Sequence, residues 1–466
     1  MLLFAVIIYF ICTLAIGFYA SKQVHDSGDF INAGRKLHPV VNTAALFALW
    51  FGSETIFGAS AEFAKHGIIG VIEDPLGGVL CLLLVGLFFS RRLYRLNIFT
   101  IGDLFRKNYG PNVEMISAVL MILSFIGYTA AQIVALGLVS QTLLGVSLPM
   151  SMLLSVSIVV VYTFTGGMWA VSVTDFIQSI LIITGLIAIA WYVTIKLGGV
   201  APVFESLTKE QLHFFPKKDT ISWLNWLSAW MVLGFGSIAS QDIFQRINSA
   251  RSESAAYGST IAGAAVYLVF SMLPLYLITA IKLVDPSLLD GDLQLALPQM
   301  VIKNMPMWLQ ILFFGSVLSA IMSTCSGALL APASLLSENI IKPLLVKKPD
   351  DRMFLLMTRI AVIVIGIIAY IVALSSQNIF DLVGEASVIG LVSIFVPFVA
   401  TLFFNHSNRF AAASSMLTGS TVYAIFRFFS LTEINPLLPG LLASILAFCV
   451  GHVLIKNKPN SKPSIV

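Results

Sequence analysis

The sequence predicts an all-α polytopic membrane protein of about thirteen transmembrane helices, built around two five-helix repeats of opposite orientation. Three observations carry that expectation. Of 466 residues, 58% are hydrophobic and only 11% charged, where a soluble domain carries about 25% charged residues. Apolar runs of span length, about 20 residues each, recur along the chain. Two of those runs hold a Gly-Ser pair at mid-depth, five helices apart.

The first run, MLLFAVIIYFICTLAIGFYASK, has no basic leader and no small-residue cleavage site, so it reads as a helix and not as a signal peptide. The spans then fall at roughly 2–20, 39–65, 75–94, 113–142, 147–164, 169–197, 222–246, 254–281, 306–338, 354–376, 380–404, 409–430 and 436–455. Basic residues set the orientation. With the N-terminus outside, most of the 27 Lys and Arg lie on the inner side, Arg246 among them. The strongest anchors are the loops RRLYRLNIFTIGDLFRKNYG (91–110) and KPLLVKKPDDR (342–352). The C-terminus is then cytoplasmic. The outer segment 198–221 is expected to hold a short surface helix. A formal charge of +4 is too small to suggest a nucleic-acid partner. The four cysteines lie in apolar stretches and the six histidines are scattered, so neither a disulfide framework nor a metal cluster is expected.

The mid-depth polar residues point to function. Helix 2 contains FGSE at 51–54 and helix 7 contains FGSI at 235–238. An odd offset turns the second helix over relative to the first, as in an inverted repeat. Discontinuous helices at matching positions of two halves mark a transport site; two small-residue packing contacts are the plainer alternative. Broken helices are expected at about 39–65 and 222–246. Glu54 sharpens the case, because a carboxylate at the bilayer centre costs at least ~2.5–3.5 kcal/mol on insertion scales. Helix 9 adds Ser316, Ser319, Ser323, Thr324 and Ser326. Such hydroxyls can replace part of a small cation's hydration shell beside freed carbonyls, or simply back-bond within their own helix.

These features lie among motifs of a known family. YTFTGGMWAVSVTDFIQ (162–178), SAIMSTCSGALL (319–330) and GRKLHPV (34–40) resemble, in this order, the signature segments of the sodium:solute symporter family. The resemblance covers essentially the whole chain. It implies the LeuT-type 5+5 inverted repeat and secondary active transport without enzymatic chemistry, with Na+ as the coupling ion. Matched by motif, it places Na+ on the backbone oxygens of Ala48, Phe51 and Ala320 and on the hydroxyls of Ser323 and Thr324. It places Asp175 on the ion's release path; helix capping is the other use of that residue. The chain is expected to form one transporter domain over 1–466. An extra helix and loop (1–38) precede a ten-helix core (39–404), and two helices with a short cytoplasmic tail (405–466) follow.

Local similarity within the family runs to choline-transporter-like and proline-symporter-like members. WFGSETIFGASAEF, DPLGG and GLFFSRRLYR resemble the choline transporters, which cage a quaternary ammonium in aromatic rings. Trp50 and Tyr128 fall at cage positions and are aromatic; Gly78 and Ser240 also fall there and are not. Carboxylates appear instead, at Glu54 and Asp74. A half-lost cage with added acids favours a primary or secondary amine, such as an amino acid, over choline. Gln132 and Gln241 join Trp50, Glu54, Asp74, Tyr128 and Ser240 as candidate solute contacts, although helix–helix hydrogen bonds would use glutamines equally well. Asp381 and Glu385 read as helix-end groups.

The expectation is Na+-coupled symport of a small polar, amine-bearing solute into the cell by alternating access, in a bacterial inner membrane. The expected partners are that solute, Na+ and the lipid bilayer. A proton-coupled or choline/betaine-type carrier on the same fold is the main alternative. A solute sensor or a channel ranks lower. No P-loop, GxSxG or HExxH occurs to suggest an enzyme.

Overall fold

The computed structural model of the chain describes residues 2–216, 219–345, 349–375, 378–404 and 408–454. Lys347, Lys348 and the tail from 455 onward, part of the cytoplasmic anchor set, lie outside the described residues. The fold is all-helical. Eight helices are long and apolar enough to cross a membrane, or nine if one bent pair counts as a span, among the described residues.

The difference from thirteen has local causes. Helix α1 (Leu2–Ser21) is apolar but short within its described part. Helix α2 (Pro39–Trp50) stops mid-depth and resumes as a wide turn at Glu54–Gly58 and a helix at Ala59–His66. Helix α3 is Pro111–Leu144. Helix α4 (Leu148–Lys196) joins two expected spans across a break at Gly167. Helix α5 (Thr220–Gly236) and helix α6 (Gln241–Ser249) are the bent pair, turned by 44°. Helices α7 (Glu253–Val284), α8 (Met307–Leu335), α9 (Asp351–Ala373) and α10 (Ile379–Gly390) follow. Helix α11 (Arg409–Phe428), with an arginine at or next to each end, and helix α12 (Leu437–Leu454) complete the chain. The third expected span is helical over Gly78–Leu84, Val85–Phe89 and Ser90–Leu96, so every expected span is helical where it is described, and both expected breaks occur.

Gly167 makes the α4 bend possible. Its φ of 48° and ψ of −142° suit glycine, and a Cβ there would lie 2.4 Å from the Phe30 carbonyl oxygen. Gly167→Ala is expected to destabilise the protein by roughly 2–3 kcal/mol, read as a lower Tm in detergent. Gly258→Ala, whose Cβ would meet nothing within 4 Å, is the control.

Two expectations change. The loop 91–110 holds a nine-residue helix, Ile101–Tyr109, started by a capping box in which Thr100 and Asp103 each serve the other's backbone N–H. Its sequence lacks an apolar run, so span counting passes over it. Arg246, counted as an inner-side anchor, is completely buried in α6. The segment 198–221 carries its expected short helix at Ala201–Glu205.

The core lies where α2, α3, the second half of α4, α6 and α8 meet. A backbone link closes one end: the Leu37 N–H donates to the Ser249 carbonyl and the Arg251 N–H to the Leu37 carbonyl, at 2.9 and 3.1 Å. The start of the first broken helix is thereby tied to the end of the second.

Candidate functional site

The break in α2 releases backbone oxygens, and side chains meet them. The Phe51 N–H still reaches the Phe47 carbonyl, but the next turn is missing. The Ala48 carbonyl accepts from the Thr324 hydroxyl at 3.0 Å, the Leu49 carbonyl from the Tyr128 hydroxyl at 3.3 Å, and the Trp50 carbonyl from the Thr55 hydroxyl at 3.1 Å. The Ser53 N–H donates to Gln132 Oε1 at 3.1 Å. Buried backbone groups need such partners. Each of these hydroxyls and amides can exchange its bond for a ligand's.

Thr324 also donates toward the Ala320 carbonyl at 3.2 Å. Ala48 O, Ala320 O and Thr324 Oγ1 therefore converge between α2 and α8. Ser323, one position earlier, donates its hydroxyl to Asp175 on α4. The other three hydroxyls between 316 and 326 serve packing: Ser316 bonds the Leu181 and Leu312 carbonyls, Ser319 bonds Tyr9, and Ser326 bonds the Ser323 carbonyl. Phe51 packs its ring on Phe47 and Tyr267, with centroids 5.1 and 6.2 Å away.

Asp175 also faces Arg246. The Arg246 Nη2 lies 3.2 Å from Asp175 Oδ2, and both side chains are 0% exposed. Arg246 further donates through Nε to the Ala45 carbonyl of α2 at 2.9 Å. The pair thus joins α4, α6 and α2 next to the converging oxygens.

Glu54 sits at the start of the wide turn after the break, fully inside the protein. Its Oε2 accepts from Gln132 Nε2 at 2.9 Å and its Oε1 from the Tyr128 hydroxyl at 3.3 Å. Gly52 lies against these groups. A Cβ on Gly52 would stand 2.8 Å from both Glu54 Oε2 and Thr324 Oγ1 and 3.1 Å from Gln132 Oε1. The carboxylate and the converging oxygens are therefore separated by a single glycine.

A cavity of about 60 Å³ opens beside this break, walled by α2, α3, the bent pair and α10. Trp50, Glu54, Tyr128 and Ser240 line it. The remaining candidate solute contacts do not. Gln132 stands behind Glu54. Asp74 is held by the Tyr267 hydroxyl at 2.5 Å and the Thr55 hydroxyl at 3.0 Å. Gln241 accepts from the Ile101 N–H at 2.8 Å and donates to the Phe99 carbonyl, securing the 101–109 helix to α6. Trp50 lies against Gly78, where a Cβ would be 2.8 Å from its ring. The indole fills the space an aromatic residue at 78 would need. Its Nε1 is buried and has no hydrogen-bond partner.

Two functional candidates escaped the sequence. Asp242 lines the cavity, and Arg246 pairs with Asp175. The string SQDIFQR (240–246), two residues beyond the Gly-Ser of the second broken helix, was the available signal. Asp381, in the first turn of α10, accepts from Asn378 as a helix-end group does, whereas Glu385 lies mid-helix and pairs with Arg427 of α11.

Residues 30–419 match the sodium:solute symporter family. The chain is 26% identical over 447 residues to high-affinity choline transporter 1 of Caenorhabditis elegans, covering 89% of this chain and 76% of that one. It is 26% identical over 483 residues to the osmoregulated proline transporter OpuE of Bacillus subtilis, covering 97% and 94%. Among solved structures, it superposes on a Na+-coupled sialic acid symporter in a substrate-bound outward-open state with a TM-score of 0.81, at 19% identity and 98% coverage of both chains. It superposes on Mhp1, a nucleobase-cation-symport-1 family transporter, with a TM-score of 0.63, at 17% identity, covering 91% and 95%. These neighbours share the LeuT-type architecture, and at these identities they speak for the fold alone. The family match spans most of the sequence: the chain belongs to the sodium:solute symporter family and is a multi-pass membrane transporter, not an enzyme.

Proposed function

We propose that this transporter couples Na+ entry to the uptake of a small polar solute bearing an amine. One observation carries the reading: the Ala48 and Ala320 carbonyls and the Thr324 hydroxyl converge at a broken helix, one glycine away from the buried carboxylate of Glu54. Oxygens of this kind suit a hard cation. Phe51 and Ser323 are assigned as the remaining ion oxygens, and Asp175 as the acid that receives the ion on its way out. Trp50, Glu54, Tyr128 and Ser240 are assigned to the solute. Gln132 orients Glu54, and Asp74 and Gln241 support the site from outside the cavity.

The mechanism follows from linkage. Na+ drawn between α2 and α8 fixes the break in the state that binds solute, so each guest raises the other's affinity by the same factor. An inside-negative potential adds ~2.3 kcal/mol per charge per 100 mV. Residues 39–404 are assigned as the moving and supporting core, with the N-terminus outside and the C-terminus in the cytoplasm of a bacterial-type inner membrane. The test is labelled-solute uptake into proteoliposomes under an inward Na+ gradient, screening proline, other amino acids, simple amines, choline and betaine. Uptake should follow the Na+ gradient and fall at least about tenfold in Ser323→Ala and in Thr324→Ala, each of which removes one oxygen ligand from the ion. Uptake driven by a pH gradient and indifferent to Na+ would overturn the sodium assignment and move the coupling to Glu54.

A further inference from the structure

Asp242 is absent from the roles assigned above, yet it faces the central cavity. It stands at the second position of α6 and is 4% exposed. Its Oδ1 accepts from the Ser240 hydroxyl and from the Ile243 N–H. Its Oδ2 makes no hydrogen bond. Capping of α6 therefore occupies one oxygen and leaves the other for a guest. The cavity thus has two carboxylates, one from each broken helix.

The donors along the wall are nearly all engaged. Ser124 donates to the Ala386 carbonyl at 2.5 Å, Ser237 and Ser387 share one bond at 3.4 Å that uses one of their two O–H groups, Ser240 serves Asp242, and Tyr128 serves Glu54 or the Leu49 carbonyl. Trp50 lines the cavity with its indole N–H buried and unpartnered, so that N–H and one serine O–H are the free side-chain donors. No Lys, Arg or His lines the cavity among the described residues. Ala48, Ala320 and Thr324 do not line it either. An ion held by them would not be presented directly to a solute carboxylate.

We infer that Asp242 is a second amine-reading carboxylate, and that the site takes a small monocationic primary or secondary amine whose other polar group is neutral. This rests on the amine-symport reading and narrows it. A primary ammonium brings three N–H donors and a secondary one two, enough for Glu54 and Asp242 together. A quaternary ammonium brings none. A zwitterion's carboxylate would face two like charges with no cation and only the indole N–H and one serine O–H to receive it, whereas a hydroxyl or carbonyl needs only one such donor. Size agrees. Where one water needs about 10–15 Å³, a cavity of about 60 Å³ holds on the order of four to six small groups.

The test compares three probes in proteoliposomes under the same Na+ gradient: ethanolamine, choline and glycine. Ethanolamine should be accumulated, and neither of the others should compete at equal concentration. Asp242→Asn should raise the KM for ethanolamine about 10- to 100-fold, as expected for losing a charge-assisted hydrogen bond, while leaving the Na+ dependence in place. Asp242→Glu, which keeps the carboxylate, should restore much of the affinity. If Asp242→Asn does not fold, the competition among probes in the wild type decides. Na+-driven uptake of glycine or choline in preference to ethanolamine, or an unchanged KM in a folded Asp242→Asn, overturns the inference. Glycine uptake driven by Na+ would leave the amine-symport reading standing. Ethanolamine uptake indifferent to Na+ would instead overturn the coupling and leave the role of Asp242 intact.

Discussion

Arg246→Met should lower the stability of the purified protein by about 3–5 kcal/mol, the usual cost of removing one partner from a buried ion pair. The reason is desolvation. Both members of the Asp175–Arg246 pair are fully enclosed, and losing the guanidinium leaves the Asp175 carboxylate with the Ser323 hydroxyl alone. Arg246 also holds the Ala45 carbonyl of α2, so the first broken helix loses an anchor too. Thermal unfolding in detergent reads the effect. The double variant Arg246→Met/Asp175→Asn should recover a large part of the loss, because the uncompensated charge is gone. Arg427→Met provides the contrast. Its partner Glu385 is 44% exposed, and such a surface pair contributes about 0–1 kcal/mol. An Arg246→Met protein as stable as the wild type would show that the pair carries no structural weight.

Gly52→Ala should abolish coupled transport while leaving a folded protein. The added Cβ would enter the space between Glu54 Oε2, Thr324 Oγ1 and Gln132 Oε1 at 2.8, 2.8 and 3.1 Å. All three atoms belong to side chains that can swing, but each is held in a hydrogen bond the site uses. Relief must therefore break the Gln132–Glu54 bond or withdraw Thr324 from the Ala48 carbonyl. Overpacking of this kind costs about 1–3 kcal/mol, well short of unfolding a large helical bundle. Uptake and Tm measured together separate the outcomes. Lost uptake with a near-wild-type Tm is the expected result. Wild-type uptake would mean that coupling does not need a glycine between ion and solute.

Much of this was legible in the sequence because membranes make polarity conspicuous. Gly52, Ser53 and Glu54 stand out in an apolar run, and the structure breaks α2 there. Thr324 stood out within a cluster of hydroxyls, and only the motif resemblance separated it from Ser316 and Ser326, which turn to carbonyls of neighbouring helices or of their own. Arg246 was hidden for the opposite reason. Near a helix end it reads as an anchor in water, and its partner is 71 residues away. Asp242 was hidden by its position, since an acid in the first turn of a helix ordinarily caps it. Only the packed structure shows that one of its oxygens does so while the other has no partner. Gln241 shows the converse: a polar residue beside a broken helix whose bonds go to the 99–101 backbone.

The central claim is that the oxygens of Ala48, Ala320 and Thr324 form a sodium site. Equilibrium binding of radioactive Na+ to the purified protein, without any solute, tests it most directly. The account predicts saturable Na+ binding that K+ does not displace, lost in Thr324→Ala at an unchanged Tm. Saturable binding that survives Thr324→Ala undiminished, or none in the wild type, would contradict it.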